Sequence, residues 1–571
     1  MKNIRIPAFF FLFLFLLAIV YGAFLFFSIA KPKYYFEPVI VKKESAIRGN
    51  IYSKNYTIAK SQKLYGVYLY VNYLDENKKA LFIKLFSIYS GISEKRLKNI
   101  INFAKKRGKN RILIAKVDLK TKQNLIYLRK ILDKKRVFLT NPKTGIRRGY
   151  EIASLDFKRV YPYADTLEPV LGRYRKDLKK GENGLEEYYD ELLRAKKDGF
   201  KKGYRDVFGN IIYDGNSVVK QPVDGKSLLL NINLVLQRKI EKLLSVQKNK
   251  LSAKEVVAAV MDSKTGRLLA IATSNRYNPS HISPRDVKNM KISVIRELFE
   301  PGSVMKPITF AILLELKKVN PYEIIKGYNG RWKPEWRKTP IRDDEPFEWL
   351  SAENVIVYSS NIGISQLALR LTNVEFFNGL KNFGFGEYSG IDLPYELKGK
   401  LRSLKLLNYP VYKSTTSYGY GILVNFVQLL KAYNVFNNKG ITFTPRIGAI
   451  KAYKKRVVSP QTAETMLKIL RKVVLKGTGK AADIKGLFVA GKTGTAHVSV
   501  KGGYKNIYNS SFFGFVNDGI HRYTIGVTFF DIKAKWPNYF ASSSAVPTFK
   551  KIVGIMMEEN LIKVENGKLS K

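Results

Sequence analysis

The N-terminus contains a continuous apolar segment that constrains how the rest of the chain folds. Residues 7–30, PAFFFLFLFLLAIVYGAFLFFSIA, carry no charged side chain. About 20 such residues in a helix cross the hydrocarbon core of a bilayer, so we predict a single transmembrane anchor at 7–30 preceded by a tail at 1–6. A cleavable signal peptide has a shorter apolar stretch and a small-residue cleavage site, of which residues 28–30 are a weak version. The pattern therefore favours a retained anchor.

Basic residues flank this segment on both sides and do not orient it. Lys2 and Arg5 precede the segment, and Lys31 and Lys33 follow it, so the positive-inside rule gives no direction. No second apolar run of this kind follows. We therefore expect the remaining residues to lie together on one side of the membrane.

The composition excludes several kinds of site. The chain has 100 Lys and Arg against 46 Asp and Glu, a formal charge of +54, which suits nucleic acid, anionic lipid or an acidic polymer. The lysines are spread through every region without an aromatic stacking platform, so we predict a solvated basic surface and no nucleic-acid partner. Cysteine is absent and only His281, His497 and His521 are present. A disulfide framework and Cys-ligated zinc are therefore excluded, and a His-built metal site or a Ser-His-Asp triad has few residues to draw on.

The pattern of apolar residues divides the soluble portion in two. Residues 31–47 are polar with two prolines, typical of a linker, and AIRGNIYSKNYTIAKS alternates as a strand does. Residues 76–120 and 184–202 have a charged, helix-like periodicity. The pattern changes near residue 225, after which VVAAVMDSKTGRLLAIAT predicts a β-hairpin. We place one domain at 31–225 and a second at 226–571.

The first candidate motif is S-x-x-K in FEPGSVMKPITFAILLEL. Pro301 and Gly302 interrupt the chain before a predicted helix that begins near Ser303, and Pro307 suits its first turn. Ser303 and Lys306 share one face of that helix. The positive helix end and burial both lower the pKa of such a lysine, which makes it a candidate base. Alone, the tetrad is also consistent with a solvated serine and lysine.

The second motif is Ser359-Ser360-Asn361, between two apolar helical segments. A helix N-cap is the ordinary interpretation of these residue types. In a cleft, however, a hydroxyl and a carboxamide two residues apart can serve one substrate, the first relaying protons and the second binding an amide.

The third motif is GLFVAGKTGTA, residues 486–496, whose first eight residues fit the phosphate-binding P-loop pattern. A P-loop leads into a helix, but the residues before and after Lys492 alternate as a strand does. We therefore reject nucleotide binding. On an edge strand, Lys492, Thr493 and Thr495 would bind a carboxylate, and Gly494 would let a ligand approach closely.

The ordered set of S-x-x-K, S-x-N and K-T-G-T resembles the signature of penicillin-recognising serine acyltransferases. The surrounding stretches resemble class B penicillin-binding proteins, in particular peptidoglycan D,D-transpeptidases of the septal FtsI type. They are EPGSVMKP, YSSNIGIS, SYGYGILVNFVQLLKAYNVFNNKG, VAGKTGTA and SFFGF, together with RGNIY, RVYPYA and GLEEYYDELL in the first domain.

The resemblance implies an α+β fold. It has an N-terminal transmembrane helix, an elongated non-catalytic pedestal of the dimerisation type, and a transpeptidase domain whose antiparallel sheet is flanked by helices as in serine β-lactamases. It implies an enzyme anchored in the cytoplasmic membrane by one span, with its catalytic domain outside, on the periplasmic side. Neither a cofactor nor a metal is expected.

The resemblance also assigns roles to residues. Ser303 is the nucleophile that attacks a D-Ala-D-Ala donor stem, Lys306 takes its proton, and Ser359 and Asn361 line the cleft. Lys492, Thr493 and Thr495 bind the terminal carboxylate beside Gly494, and the backbone N–H groups of Ser303 and Thr495 form the oxyanion hole. An amine acceptor from another stem resolves the ester, and β-lactams acylate Ser303.

The implied partners are a membrane glycan polymerase and division proteins, because no polymerase module stands in the N-terminal half. A side-wall enzyme, a membrane-bound β-lactamase and a β-lactam sensor are the alternatives. The chain departs from the family at Ser53 and Lys54, where an Asp-Arg pair is common, and at Asn233 in LNIN. These positions concern the pedestal and not the cleft.

Overall fold

The predicted anchor forms helix α1, Arg5–Ile29, in a computed structural model that describes residues 5–29, 39–140, 149–205, 211–500 and 503–564. The helix is long and apolar enough to cross a membrane over Phe9–Phe26, and none of that stretch is buried against protein. Residues 1–4 of the predicted tail, residue 30 of the predicted anchor and residues 31–38 of the predicted linker lie outside the described residues.

The chain forms two compact units that alternate along the sequence. Unit 1 comprises residues 1–46, 63–157 and 196–223, and unit 2 comprises 47–62, 158–195 and 224–571. The domain boundary placed at residues 225 and 226 stays a prediction.

The first 230 residues contain mostly short strands and helices. The strands are β1 (Val39–Glu44), β2 (Ile51–Ser53), β3 (Tyr56–Tyr70), β4 (Arg111–Val117), β5 (Tyr150–Val160), β6 (Arg173–Arg175), β7 (Lys180–Glu182), β8 (Gly199–Arg205), β9 (Ile211–Ile212), β10 (Val218–Lys220) and β11 (Leu228–Leu230). The helices after α1 are α2 (Lys79–Ser90), α3 (Glu94–Lys106), α4 (Leu119–Lys134), α5 (Gly184–Tyr188) and α6 (Asp190–Leu193).

Unit 1 has its own apolar core. The buried faces of α2, α3 and α4 meet strand β4 and the C-terminal part of β3, around the aromatic side chains of Phe82, Phe86, Phe138 and Tyr150. The helix-like periodicity of residues 76–120 is confirmed over α2 and α3, but it is wrong for Arg111–Val117, which forms strand β4. For 184–202 it is confirmed only as far as Leu193, because Gly199–Arg205 forms β8 between β1 and β10. Pairing with two neighbouring strands overrides local periodicity there.

Three motifs from the first domain, RGNIY, RVYPYA and GLEEYYDELL, converge inside unit 2 as a buried ion-pair network. Arg48 of RGNIY is 1% exposed, and its Nε lies 2.8 Å from Oε2 of Glu186, which belongs to GLEEYYDELL. Arg48 also contacts Asp190, and Arg159 binds the other oxygen of Glu186 at 2.8 Å. Arg194 also binds Asp190, so each of the two acids is held by two arginines, as a buried charge requires.

The remaining elements belong to unit 2. The strands are β12 (Ala253–Asp262), β13 (Leu268–Thr273), β14 (Ile324–Lys326), β15 (Arg331–Trp332), β16 (Ile341–Arg342), β17 (Trp349–Ser351), β18 (Ile441–Phe443), β19 (Lys454–Arg456), β20 (Phe488–Val500), β21 (Gly503–Asn517) and β22 (Arg522–Ile532). The helices are α7 (Leu234–Lys250), α8 (Ser293–Arg296), α9 (Lys306–Glu315), α10 (Ala352–Val357), α11 (Asn361–Ala368), α12 (Asn373–Asn382), α13 (Leu404–Leu407), α14 (Pro410–Ser417), α15 (Phe426–Asn437), α16 (Pro460–Leu475) and α17 (Ala545–Glu558).

A five-stranded antiparallel sheet in the order β13-β12-β22-β21-β20 forms the centre of unit 2. The predicted hairpin around residues 262–266 is confirmed as β12 and β13. Alternate residues of β12 enter different cores: Val256, Ala258 and Val260 join one with α7 and α17, and Val257, Ala259 and Met261 join the other with α9, α11, α15 and α16. Helices therefore cover both faces of the sheet, and β20 is left as an edge strand.

Candidate active site

Ser303 lies on a 3₁₀ turn, Gly302–Met305, that leads directly into α9. The residues from 301 to 313 are buried except Ser303, which is half-buried. Tyr433 of α15 supports the turn from below, because its hydroxyl donates to the carbonyl oxygen of Val304 at 2.8 Å. A rigid, buried frame thus presents a single hydroxyl to solvent.

Gly302 places this turn against two other parts of unit 2. Its φ is +60°, a left-handed conformation that glycine adopts without strain, and its N–H donates to the carbonyl of Gly419 at 3.2 Å. A Cβ on residue 302 would stand 3.0 Å from Cβ of Ala496 in β20. The nucleophile's turn is therefore held between the SYGYG segment and the KTGTA strand.

Lys306 is fully buried at the start of α9, with Pro307 in the first turn as predicted. Its Nζ donates to the backbone oxygen of Ser359 and lies 3.1 Å from the Ser359 hydroxyl. Burial lowers the pKa of Lys306 to about 8, although the carboxylates of Asp343 and Asp344 oppose that shift. A substantial neutral fraction of this amine is therefore present near pH 8, as a general base requires.

The side chains of Ser359, Ser360 and Asn361 make three different contacts. Ser360 is the N-cap of α11, its Oγ accepting from the N–H of Gly363 at 2.8 Å, so the N-cap interpretation is correct for that residue. Ser359 has a φ of +64°, an uncommon, strained conformation for a non-glycine residue, which turns its hydroxyl toward Lys306. The Asn361 carboxamide donates to the carbonyl of Arg342 at 2.8 Å.

Asp343 holds this segment together, and motif reasoning missed it. Its carboxylate accepts from the hydroxyl of Ser360, from the N–H of Asn361, and from the N–H of Ile362 at 3.0 Å. Burial raises the pKa of Asp343 above its ordinary value, although these donors and the charge of Lys306 oppose that rise. The only sequence signal was an acidic pair, Asp343-Asp344, seventeen residues before Ser360.

Lys492 lies on β20, the edge strand of the sheet, and the predicted strand at the KTGT motif is confirmed. The side chain is fully buried, with Nζ 3.2 Å from the carbonyl oxygen of Thr493. Burial lowers the pKa of Lys492 well below its ordinary value, and the positive charge of Lys306 lowers it further. Two lysines from different motifs thus repel each other here, which favours an anion between them.

The residues after Lys492 bring β20 against the nucleophile's turn. A Cβ on Gly494 would come within 2.9 Å of the Val304 side chain and 3.2 Å of the Pro301 carbonyl oxygen. The Thr493 hydroxyl lies 2.6 Å from that of Thr478, and the Thr495 hydroxyl accepts from the N–H of Ala541 at 3.1 Å. Both threonine hydroxyls are therefore held in place by neighbouring segments.

The three motifs meet at one place. Contacts join Lys306 to Ser359, and the turn of Ser303 to Gly494, while the charges of Lys306 and Lys492 interact. The Asn361 carboxamide faces the Arg342 carbonyl, and Thr495 contacts Ala541. A half-buried hydroxyl, a buried amine with a lowered pKa and a second buried amine form the set needed to attack a carbonyl whose substrate carries a carboxylate.

Comparison with known families agrees with this geometry. Residues 256–554 match the family described as the penicillin binding protein transpeptidase domain, and residues 43–230 match the penicillin-binding protein dimerisation domain. The first match alone spans more than half of the chain. The chain belongs to the penicillin-binding proteins.

Several relatives of this penicillin-binding protein are named peptidoglycan D,D-transpeptidases. It is 30% identical over 385 residues to a probable peptidoglycan D,D-transpeptidase PenA of Neisseria flavescens, covering 66% of this chain and 93% of the relative. It is 29% identical over 418 residues to the peptidoglycan D,D-transpeptidase FtsI of Buchnera aphidicola subsp. Schizaphis graminum, covering 72% and 71%. The predicted class of enzyme, a D,D-transpeptidase, is confirmed.

The fold of this penicillin-binding protein is also found in solved structures. Penicillin Binding Protein 2X from Streptococcus thermophilus superposes with a TM-score of 0.73 at 21% identity, covering 91% of this chain and 81% of that chain. The expected α+β architecture, with a dimerisation-type domain and a transpeptidase domain, is thus confirmed.

Proposed function

We propose that this penicillin-binding protein cross-links peptidoglycan stem peptides through an acyl-enzyme on Ser303, and that it does so during septal cell-wall synthesis. The observation that carries the chemistry is the placement of the buried Lys306 amine 3.1 Å from the Ser359 hydroxyl, at the end of the turn that carries the half-buried Ser303. The observation that supports the septal role is the similarity to proteins named FtsI.

Acylation begins when neutral Lys306 accepts the Ser303 hydroxyl proton. The Ser303 oxygen attacks the carbonyl carbon of the penultimate D-Ala, the C–N bond to the terminal D-Ala breaks, and that residue leaves as an amine after accepting a proton. Ser359 relays this proton, because its hydroxyl bonds to Lys306. A positioned base of this kind contributes about 10²- to 10⁴-fold to the rate.

Binding of the donor stem uses the edge of β20. The terminal carboxylate lies at Lys492, Thr493 and Thr495, and its negative charge raises the pKa of Lys492 that burial and Lys306 have lowered. The N–H groups of Ser303 and Thr495 bind the developing oxyanion, each worth roughly 3 kcal/mol. Asn361 exchanges its bond to the Arg342 carbonyl for one to the stem amide.

Deacylation transfers the stem to a neighbouring strand. An amine of an acceptor stem attacks the ester carbonyl, a new amide bond forms, and the Ser303 oxygen recovers a proton through Lys306. β-Lactams enter the same route as mimics of the donor and remain on Ser303. No step requires a cofactor or a metal.

Labelling with a fluorescent penicillin tests the nucleophile. Wild-type protein and Ser280→Ala, which alters an exposed serine of the same domain, should be labelled on the peptide that contains residue 303, as identified by mass spectrometry. Ser303→Ala should not be labelled. Label on Ser303→Ala, or on another peptide of the wild type, contradicts the assignment.

The rate of deacylation separates this enzyme from a β-lactamase. A label that persists for hours fits a transpeptidase, whereas turnover within seconds to minutes fits a β-lactamase. A β-lactam sensor would form a stable label but would not release D-Ala from a donor peptide or transfer the stem to an amine.

The proposed location follows from this substrate. Helix α1 retains the protein in the cytoplasmic membrane, with 1–6 inside and the pedestal (31–225) and transpeptidase domain (226–571) outside. A membrane glycan polymerase and division proteins are the proposed partners. Depletion should produce filamentous cells; swollen, round cells would indicate side-wall synthesis instead.

A further inference from the structure

A cavity separate from the three motifs lies in unit 2, and four of its twelve lining residues are lysines. Its volume is about 280 Å³, roughly that of nine water molecules. It lies open to solvent between the end of α12, α15 and the hairpin of β18 and β19. Lys381, Lys431, Lys454 and Lys455 line it, and Glu387 is its single acidic residue.

The charges of this cavity are unbalanced. Glu387 is engaged by Lys381 at 2.6 Å. In the part of the chain that the structure describes, the ammonium groups of Lys431, Lys454 and Lys455 have no carboxylate within salt-bridge distance. Lys431 donates to the carbonyl of Ser389 at 2.8 Å, and Lys455 donates to the side-chain oxygen of Asn382 at 3.2 Å.

Lys431 is placed unusually for a lysine. It lies in α15, whose other residues from Phe426 to Asn437 are all buried, and it is itself half-buried. Burial lowers the pKa of Lys431, and the charge of Lys455 across the cavity lowers it further, while Glu396 opposes both. Glu396 is already bound at 2.9 Å by the N–H of Ser389. The lysines that face this cavity outnumber the two acids beside it, Glu387 and Glu396, so an anion in the cavity would relieve the repulsion between them.

We propose that this cavity binds an oxyanion, a phosphate or a carboxylate, carried by a ligand about as large as a sugar phosphate. Lys431 supplies the inner cation, and Lys454 and Lys455 close over the anion from the hairpin. Tyr388 and Tyr453, which are 57% and 70% exposed, offer phenolic hydroxyls to the polyol or sugar of the ligand at the rim. The site lies outside the S-x-x-K, S-x-N and K-T-G-T motifs, although Lys431 belongs to the SYGYGILVNFVQLLKAYNVFNNKG stretch.

Isothermal titration calorimetry tests the proposal on the full-length protein in detergent. Ser303 is first acylated with penicillin, and acylation is verified by mass, so that the lysines of the active site are covered. The probes are inorganic phosphate, glycerol 3-phosphate and N-acetyl-D-alanine, each at constant ionic strength. Saturable binding of the first two assigns a phosphate ligand, and saturable binding of the third assigns a carboxylate ligand.

A matched pair of variants locates the binding. Lys431→Gln/Lys455→Gln should raise the dissociation constant at least tenfold, because two positive charges are lost while the glutamine at 431 keeps a donor for the Ser389 carbonyl. Lys405→Gln/Lys551→Gln removes the same charge at exposed positions outside the cavity and should leave the constant within twofold. If the first variant fails to fold, Lys454→Gln on the exposed hairpin should still weaken binding about threefold.

Two results would overturn the proposal: equal weakening in the cavity and control variants, or no saturable binding of any probe to the acylated wild type. Failure of penicillin to acylate Ser303 would count against the proposed function alone. In that case the calorimetry is repeated on Lys492→Met, whose active site has lost one cation and whose cavity is intact.

Discussion

Gly494 on β20 and Val304 beside the nucleophile lie so close that a Cβ at position 494 would come within 2.9 Å of the valine side chain. The same Cβ would stand 3.3 Å from the Val304 backbone nitrogen and 3.2 Å from the Pro301 oxygen. The absence of a side chain at this one position therefore sets how closely the strand approaches the turn of Ser303.

Gly494→Ala should slow penicillin acylation roughly tenfold, because the turn and the strand must separate by a few tenths of an ångström and oxyanion geometry is sensitive at that scale. Stopped-flow acylation rates measure the effect. The control is Gly554→Ala in α17, where a new Cβ meets no atom within 4 Å and should stabilise the helix by about 0.5–1 kcal/mol. An unchanged rate in Gly494→Ala would show that the two segments are not held at this distance.

The acylation rate should rise with pH and level off above about pH 8. Lys306 acts as a base only when neutral, and its pKa is lowered to about 8, so the rate falls about tenfold per pH unit well below that value. A pH–rate profile for the second-order acylation constant gives the midpoint. A midpoint near 10.5, the ordinary value for lysine, would exclude the buried amine as the base.

The lowered pKa of Lys306 also makes the stability of the protein depend on pH. The pKa of Lys306 is lower in the folded state than in the unfolded state, so the folded state binds fewer protons between about pH 8 and 10.5. The contribution of Lys306 to the free energy of unfolding therefore becomes more favourable as the pH rises through that window. Lys306→Met should remove this pH dependence. Urea unfolding at pH 7.5 and 9.5 gives the free energies of unfolding of the wild type and the variant. If these differ by the same amount at both pH values, the lowered pKa of Lys306 is contradicted.

Asp343→Asn should destabilise the protein and shift the pH–rate midpoint downward. The carboxamide can no longer accept from Ser360, Asn361 and Ile362 together, which costs about 1–3 kcal/mol. Loss of its charge removes an attraction that raises the pKa of Lys306. Asp344→Asn is the control: this residue is exposed, so the midpoint should move in the same direction without loss of stability. A merely structural role for Asp343 would lower stability and leave the midpoint unchanged.

Arg48→Met should cost about 3–5 kcal/mol of unfolding free energy, because it leaves Glu186 and Asp190 with one fewer cation in a buried site. Arg194→Met removes a partner of Asp190 whose side chain is 60% exposed and should cost less than about 1 kcal/mol. Chemical denaturation of both variants gives the comparison. Equal costs would mean that the buried network does not stabilise unit 2.

The sequence by itself determined the elements whose pattern is local. Continuous apolarity predicted α1, alternation around Lys492 predicted a strand instead of a P-loop, and a proline after Ser303 predicted the start of α9. These features depend on residues within one or two turns of one another, so composition and periodicity reveal them. Together with the order of the three motifs, they were enough to predict the family.

Only the tertiary structure decided which distant groups are in contact and how burial changes their pKa values. The bond between Lys306 and Ser359, the closeness of Gly494 to Val304, and the three bonds to Asp343 join segments between 17 and 190 residues apart. The lowered pKa of each catalytic lysine likewise arises from burial by several helices and a sheet. Desolvation is a property of the packed interior, and no short stretch of sequence contains it.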